Sequence, residues 1–430
     1  MQVSVQSGEG LERRMTVELP VDEINQEVEK RLKKIARTVR MDGFRPGKVP
    51  MKILRTRYGL QVQQEVFGEV VESSYARAID QEKLRPAGAP KIEPHLDQSQ
   101  DNARFAYTAV FDVLPEIELV SLADQSIKRP AAEVVDADVD EMIERLRKQR
   151  QTWEDVERRA QDGDQVHISF KGTIDGEPFE GGEASDVPVE LGSGMMIEGF
   201  EAGLVDAAAG DKRSLELQFP DNYQVEKLAG KPVMFEVEVS KVAEPVVPEL
   251  NEELAKSFGV ESGDIGKFRD DIRGNMEREL TQHIESKLKN QAMDALLEAH
   301  KIELPGALVE EEIDALRQQT RQGAPAAGNM ELPRNLFEEQ ARRRVALGLI
   351  IAEVVKKNDL KVDPERVKST IEEMAASYED PQEVVNFYNS NQQQRASVEG
   401  LVLENQVVDW VLEQARVEEE QSSFKEVTEG

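Results

Sequence analysis

Cysteine is missing from the 430 residues, which removes disulfides, thiolate nucleophiles and cysteine-ligated zinc from consideration. Histidine is scarce. The four copies, His95, His167, His283 and His300, are scattered and form no His-x-x-x-His or Glu-x-x-His pair, so no metal is expected. Nowhere is there a run of about 18 apolar residues, and the opening Met1-Gln-Val-Ser-Val-Gln-Ser-Gly-Glu-Gly10 has neither a basic nor an apolar signal region. The expectation is a cytoplasmic protein without a membrane partner. A phosphate loop of the Gly-x-x-x-x-Gly-Lys-Ser/Thr type is also absent, so nucleotide-driven work is not expected, and no cofactor is implied.

Charge is plentiful. The chain is 39% hydrophobic and 32% charged with a formal net charge of -31, a soluble composition long enough for two to four domains. The segment 30–57 runs against this balance. Its eleven Lys/Arg (30, 31, 33, 34, 37, 40, 45, 48, 52, 55, 57) face a single acid, Asp42, a local +10 that leaves -41 for the rest. A basic island on an acidic molecule suits docking to a polyanion, because the remaining charge suppresses indiscriminate binding. Ile24, Val28, Leu32, Ile35 and Val39 recur at helical spacing, so the cations occupy the other face of one amphipathic helix.

After that helix comes Gly43-Phe44-Arg45-Pro46-Gly47-Lys48-Val49-Pro50. Two glycines and two prolines exclude helix or sheet interior, and Phe44 beside Arg45 at the tip is a binding pair that can stack and hydrogen-bond. An ordinary Gly/Pro loop with Phe44 tucked inward is the alternative.

Around this loop, alternation at 2–6, 13–19 and 104–113 predicts strands and the stretch from Pro50 through Val62, Val66 and Val70 predicts helix, together a small α+β domain over 1–115. Residues 116–161 read as a connector with a helix from about Asp136. From Gly163 short alternating runs appear at 165–172, 187–191, 214–219 and 233–239, with a helical piece near 200–208: a compact antiparallel half-barrel over 162–245. Gly192-Ser-Gly194 is not a dinucleotide loop, since Ile197 stands where a third glycine is needed. Beyond Pro248 helical patterns take over at 251–258, 266–301, 305–321, 333–357, 364–378, 381–390 and 393–416, several opened by proline. The polar end, 417–430, is expected to be disordered.

Two resemblances rest on these residues. Gly43, Phe44, Arg45, Gly47 and Pro50 after a basic helix resemble the ribosome-docking signature of the bacterial trigger factor family, Pro46 and Lys48 filling positions between them. The series Phe170-x-Gly172, Asp175-Gly176-x-x-Phe179-Glu180, Leu191-Gly192, Met196-Ile197-x-Gly199-Phe200-x-x-Gly203, Gly210-Asp211-Lys212, Pro220-x-x-Tyr223 and Phe235 resembles the FKBP-type prolyl isomerases. The implied architecture is multidomain α+β: a ribosome-docking α+β domain, an FKBP-like half-barrel and an all-α chaperone domain over 246–416.

The implied function is ATP-independent holding of nascent and unfolded polypeptides at the ribosomal exit tunnel, contacting ribosomal protein and rRNA, combined with peptidyl-prolyl cis-trans isomerisation. Pairing of free molecules into homodimers is left open. So is a second reading, a dedicated isomerase whose flanking domains recruit substrates. The implied cleft is Phe170, Phe179, Glu180, Met196, Ile197, Phe200, Tyr223 and Phe235, each of which could instead be barrel core. Phe200 stands where many members carry Trp, Val187 replaces an aromatic and Glu180 replaces Asp, leaving drug affinity open. Apolar residues such as Ile350, Val354, Val398, Val402, Val407 and Trp410 are expected to build helix-helix core or line a cradle.

Overall fold

The alternating runs become strands for the reason they alternate: one face must leave water. In the computed structural model, which describes residues 1–39, 44, 49–96, 104–225, 227–323, 332–376, 378 and 380–429, β1 (Gln2–Ser7) and β2 (Glu12–Pro20) pair antiparallel, with Val3 opposite Val17 and Val5 opposite Met15. Helices α1 (Val21–Thr38) and α2 (Met51–Glu82) follow, then β3 (Pro86–Leu96) and β4 (Arg104–Val113), giving a sheet of order β1-β2-β4-β3. Met15, Val17 and Leu19 of β2 and Tyr107, Ala109 and Phe111 of β4 project onto Ile24 and Leu32 of α1 and Val62 and Val66 of α2. Tyr107 carries its hydroxyl into this core, where it bonds Ser74 Oγ at 2.8 Å and donates to the Val71 carbonyl at 3.3 Å, as a buried polar group must.

A short strand β5 (Ser126–Ala131) leads to α3 (Asp136–Gln149) and β6 (Thr152–Val156). The half-barrel is built from β6, β7 (Gln165–Ile174), β8 (Glu177–Glu190), β9 (Lys212–Gln218) and β10 (Pro232–Val246), with a single 3₁₀ turn at Ala202–Leu204. Its order is β6-β10-β7-β8, and β9 also pairs with β10. The long β10 thus has β9 along its first half and β6 along its second. The sheet begins earlier than the sequence suggested: Thr152–Val156, assigned to the connector, pairs with β10 at Val156 opposite Val242 and Trp153 opposite Pro245. Five residues among charges alternate too briefly to announce a strand.

Then come α4 (Glu252–Ser257) and the 35-residue α5 (Ile265–Ala299), followed by α6 (Gly306–Gly323), α7 (Asn335–Lys357), α8 (Pro364–Ala375), α9 (Pro381–Ser390) and α10 (Gln392–Gln414). Asp363, Asp380 and Asn391 each accept from two amides of the helix they precede, satisfying donors that a helix start leaves open. Val309, Ile313 and Leu316 of α6 pack with Ala341 of α7, and Val367 and Ile371 of α8 with Val398 and Val402 of α10. Among the described residues no helix is long and apolar enough to cross a membrane.

Residues 417–429 of the tail contain regular structure, contrary to the reading from composition. Strand β11 (Arg416–Gln421) pairs with β5, and α11 (Phe424–Thr428) is closed by a capping box between Ser423 and Glu426. Val427, 2% exposed, joins Val139, Ile143, Phe268, Ile272 and Met276, with Phe424 packed alongside. Two apolar residues three apart behind Ser-x-x-Glu suffice for one helical turn, although the average polarity of the tail hides them. The chain divides into two compact units: Met1–Arg129 with Glu285–Glu420, and Pro130–Ile284 with Gln421–Gly430. Neither unit is one continuous stretch: each joins an early and a late segment of the chain.

Candidate functional sites: an aromatic cleft and a basic face

Strand alternation places Phe170 of β7 and Phe235 of β10 on the inner face of the half-barrel. Phe179 enters from β8, and the segment before the 3₁₀ turn brings Met196, Ile197 and Phe200. All six, with Tyr223, fall in one cluster. The rings meet edge to face: Phe170 to Phe200 at 6.0 Å, Phe170 to Phe235 at 5.7 Å, and Phe200 to Phe235 at 5.3 Å between centroids, the arrangement the ring quadrupole favours. Phe200 and Phe235 are nearly sealed, 1% and 6% exposed, whereas Phe170, Phe179, Met196, Ile197 and Tyr223 are half-buried. The cluster therefore has a buried floor and a partly open rim of apolar groups. A Cβ on Gly172 would lie 2.7 Å from the Phe235 ring and 2.8 Å from that of Phe179, so only glycine lets both rings lie against this strand.

Glu180 does not join them. Its side chain is exposed and makes no hydrogen bond or ion pair among the described residues, because it follows Phe179 on β8 and alternation turns it outward. Two residues escaped the sequence reading. Phe219, 4% exposed, lies tilted against Tyr223 at 4.7 Å between centroids and meets Phe179 edge to face at 5.9 Å. Its place one residue beyond β9, before Pro220, was the available signal. The other is Glu201, 9% exposed, which ends the Gly-Phe-Glu run and had been passed over for Glu180. Burial opposes ionisation of Glu201, but the amides of Gly194 and Met196, the Ser193 hydroxyl and the Gly192 amide outweigh it and hold the carboxyl below the ordinary glutamate range.

The basic face lies on α1 and the start of α2. Part of it is neutralised locally: Lys30 pairs with Glu27 at 3.0 Å, Arg55 with Glu29 at 2.9 Å, Lys33 with Glu29 at 3.9 Å, and Arg31 with Glu69. Lys34, Arg37, Lys52 and Arg57 are exposed and make no ion pair among the described residues. A groove of about 800 Å³ runs beside Lys30, Lys33, Lys34 and Arg37. Phe44 is 37% exposed, while Val49 is buried and Pro50 caps the N-terminus of α2. Gly43, Arg45, Pro46, Gly47 and Lys48, named from the sequence as docking residues, lie outside the described residues.

Comparison with known proteins follows these two sites. Residues 1–146 match the family model described as bacterial trigger factor protein, residues 264–413 that of the bacterial trigger factor C-terminus, and residues 156–240 that of FKBP-type peptidyl-prolyl cis-trans isomerase. The chain is 49% identical to the trigger factor of Thioalkalivibrio sulfidiphilus over 429 residues, covering 99% of this chain and 98% of that one. It is 50% identical to the trigger factor of Pseudomonas paraeruginosa over 430 residues, with coverage of 99% and 98%. A solved structure concerned with promiscuous substrate recognition by the trigger factor chaperone aligns at a TM-score of 0.49 with 19% identity, covering 96% of this chain and all of that one.

Proposed function

The chain belongs to the trigger factor family, and on that premise we propose that it docks on the ribosome through its basic face and the Phe44 loop and holds emerging chains without ATP. It is a chaperone that carries an FKBP-type peptidyl-prolyl cis-trans isomerase domain. The match of family models on both sides of the isomerase region favours this over a dedicated isomerase.

The chemistry of the cleft follows from its apolarity. Rotation about an amide costs about 18–20 kcal/mol, and X-Pro bonds isomerise unaided in tens to hundreds of seconds. At the twisted geometry the amide loses conjugation and much of its dipole, so water solvates it less favourably than the planar form. A pocket floored by Phe200 and Phe235 and walled by Phe170, Phe179, Ile197, Met196 and Tyr223 suits the twisted form better than the planar one. No nucleophile is required, and Glu180, exposed beside Phe179, would meet a substrate only at the outer edge of the cleft.

The ribosome reading rests on one observation above others: four exposed cations that make no ion pair among the described residues, in the same segment as an exposed Phe44, on a molecule of net charge -31. Lys34, Arg37, Lys52 and Arg57 would meet RNA phosphates and Phe44 ribosomal protein, with Arg45, outside the described residues, assigned to the same contact from the sequence. Exposed Leu336, Tyr378 and Phe387 on or beside the C-terminal helices, 65%, 62% and 52% accessible, support a holding surface for unfolded chain. The reading has the protein cytoplasmic and docked on ribosomes. Sedimentation with ribosomes across a salt series tests it: binding at low salt that disappears as salt rises is expected, and absence of pelleting at any salt ends the docking reading.

A further inference from the structure

Between Leu191 and Phe200 the chain leaves the sheet, and only Met196 and Ile197 of the intervening residues pack against the hydrophobic cluster. Gly192 and Gly194 sit at φ 86° and 70°, conformations with a high entropic cost to fix, and Met195 is 85% exposed. What fixes this loop is a carboxylate. Oε2 of Glu201 accepts from the amides of Gly192 at 2.9 Å and Gly194 at 3.0 Å. Oε1 accepts from the amide of Met196 at 3.0 Å and the hydroxyl of Ser193 at 3.1 Å. The positive-φ glycines turn successive N–H groups inward, the concavity that elsewhere receives external anions; here it is filled from within the chain. Among the described residues no Lys or Arg pairs with Glu201, and the charged side chains lining the adjoining cavity of about 320 Å³, Asp162 and Glu198, are acids too. Three backbone amides and the Ser193 hydroxyl balance its charge.

The loop so held is one wall of the cleft. Met196, whose amide Glu201 binds, and Ile197 pack in the aromatic cluster, the Phe200 amide donates to the Ile197 carbonyl at 3.0 Å, and Glu201 directly follows Phe200. One side chain thus ties wall to floor. We propose that Glu201 is a positioning residue of the isomerase: it does not touch substrate but holds the 192–197 loop so that Met196 and Ile197 stay against the ring floor when the amide twists. The proposal rests on the isomerase reading.

Glu201→Gln keeps the shape but replaces one oxygen by an amide NH₂, so donors that now share that oxygen face a donor. Glu201→Asp keeps the charge and shortens the reach. In the full-length protein, kcat and KM on a proline-containing peptide are measured with backbone amide exchange by mass spectrometry and the unfolding midpoint. For Glu201→Gln the expected result is a loss of about tenfold or more in kcat/KM, chiefly in kcat because the wall acts on the twisted amide. Exchange should quicken over 191–197 while β7 and β10 stay protected. Glu201→Asp should recover part of the rate.

Wild-type kcat/KM in a folded Glu201→Gln protein, or a rate loss that only follows melting of the whole barrel, overturns the proposal. Should Glu201→Gln fail to fold, Ser193→Ala carries the test by deleting one of the four donors: faster exchange at 192–196 with about twofold lower kcat/KM supports it, and no change in either overturns it. A wild type without isomerase activity overturns the isomerase reading and the proposal together, whereas an active wild type matched by Glu201→Gln overturns the proposal alone.

Discussion

The aromatic cleft and the basic face of α1 are built on opposite physics. The cleft gathers side chains from β7, β8, β10 and two loops into contact and works by excluding water; the buried carboxylate of Glu201 beside it is held by three backbone amides and the Ser193 hydroxyl. The basic face comes from consecutive turns of one helix and the start of another, stays in water, and acts through charge left over after Glu27, Glu29 and Glu69 have cancelled part of it. A site of the first kind fails through small displacements, and one of the second through ionic strength. The two activities should therefore separate cleanly under perturbation.

The largest separation is expected from salt. With about four unpaired cations reaching phosphates, ribosome affinity should fall on the order of a hundredfold between about 50 and 200 mM salt, while the isomerase rate on a neutral peptide stays flat. Parallel salt series of pelleting and peptide turnover check this, and a common slope would break the contrast. Replacing Phe44, Arg45 and Pro46 together by Ala should abolish pelleting and leave isomerisation untouched.

A smaller effect in the opposite direction is expected from Tyr223→Ala: about tenfold slower isomerisation with unchanged ribosome binding. Tyr223 is the sharper probe because it is half-buried, whereas Phe200→Ala should also cost roughly 3–5 kcal/mol of stability. Rate and unfolding midpoint on both variants distinguish wall from core.

Smaller again, Tyr378→Ser with Phe387→Ser should weaken suppression of client aggregation about two- to threefold, with stability altered by less than about 0.5 kcal/mol. Light scattering of a refolding client together with thermal melting reads both.

The smallest effect concerns acid. Asp164, side chain 3% exposed, binds Arg158, which also reaches Glu244. Burial raises its pKa, but the Arg158 guanidinium and the Gln161 amide prevail and hold the carboxyl below the usual aspartate range. A lowered folded pKa means that this stabilisation is fully present above the unfolded value, about 3.9, and disappears as pH falls through the folded one. Exchange protection of residues 158–166 should hold down to about pH 5 and loosen only below about pH 4, whereas Asp164→Asn should show weaker protection that hardly varies over that range.

How far these sites could be read in advance follows the same division. The basic island is visible because its residues are neighbours in sequence, yet its partial cancellation by Glu69 is a tertiary fact. Phe170, Phe179, Phe200, Tyr223 and Phe235 were legible through their order along residues 170–235. Glu201 was not, since a glutamate after an aromatic looks like any solvated acid until the turn at Gly192 and Gly194 aims amides at it. Glu180 was named from its motif position alone, which does not say how exposed a strand residue is, and its side chain stands in solvent beside Phe179. The helices declared themselves through long periodicity and proline starts, whereas β6 and α11, at five residues each, are shorter than any period can establish.

The strand and helix of the tail bear on how the protein itself is made. Val427 and Phe424 complete a core whose other members, from Val134 to Ile284, are translated far earlier, and about 140 residues separate Ile284 from Gln421. At roughly 5–20 residues per second, that core waits on the order of 7–30 s with Ile143, Phe268 and Met276 uncovered. During its own synthesis this chaperone is an incomplete chain with exposed apolar surface, and thus a substrate of the kind its family serves.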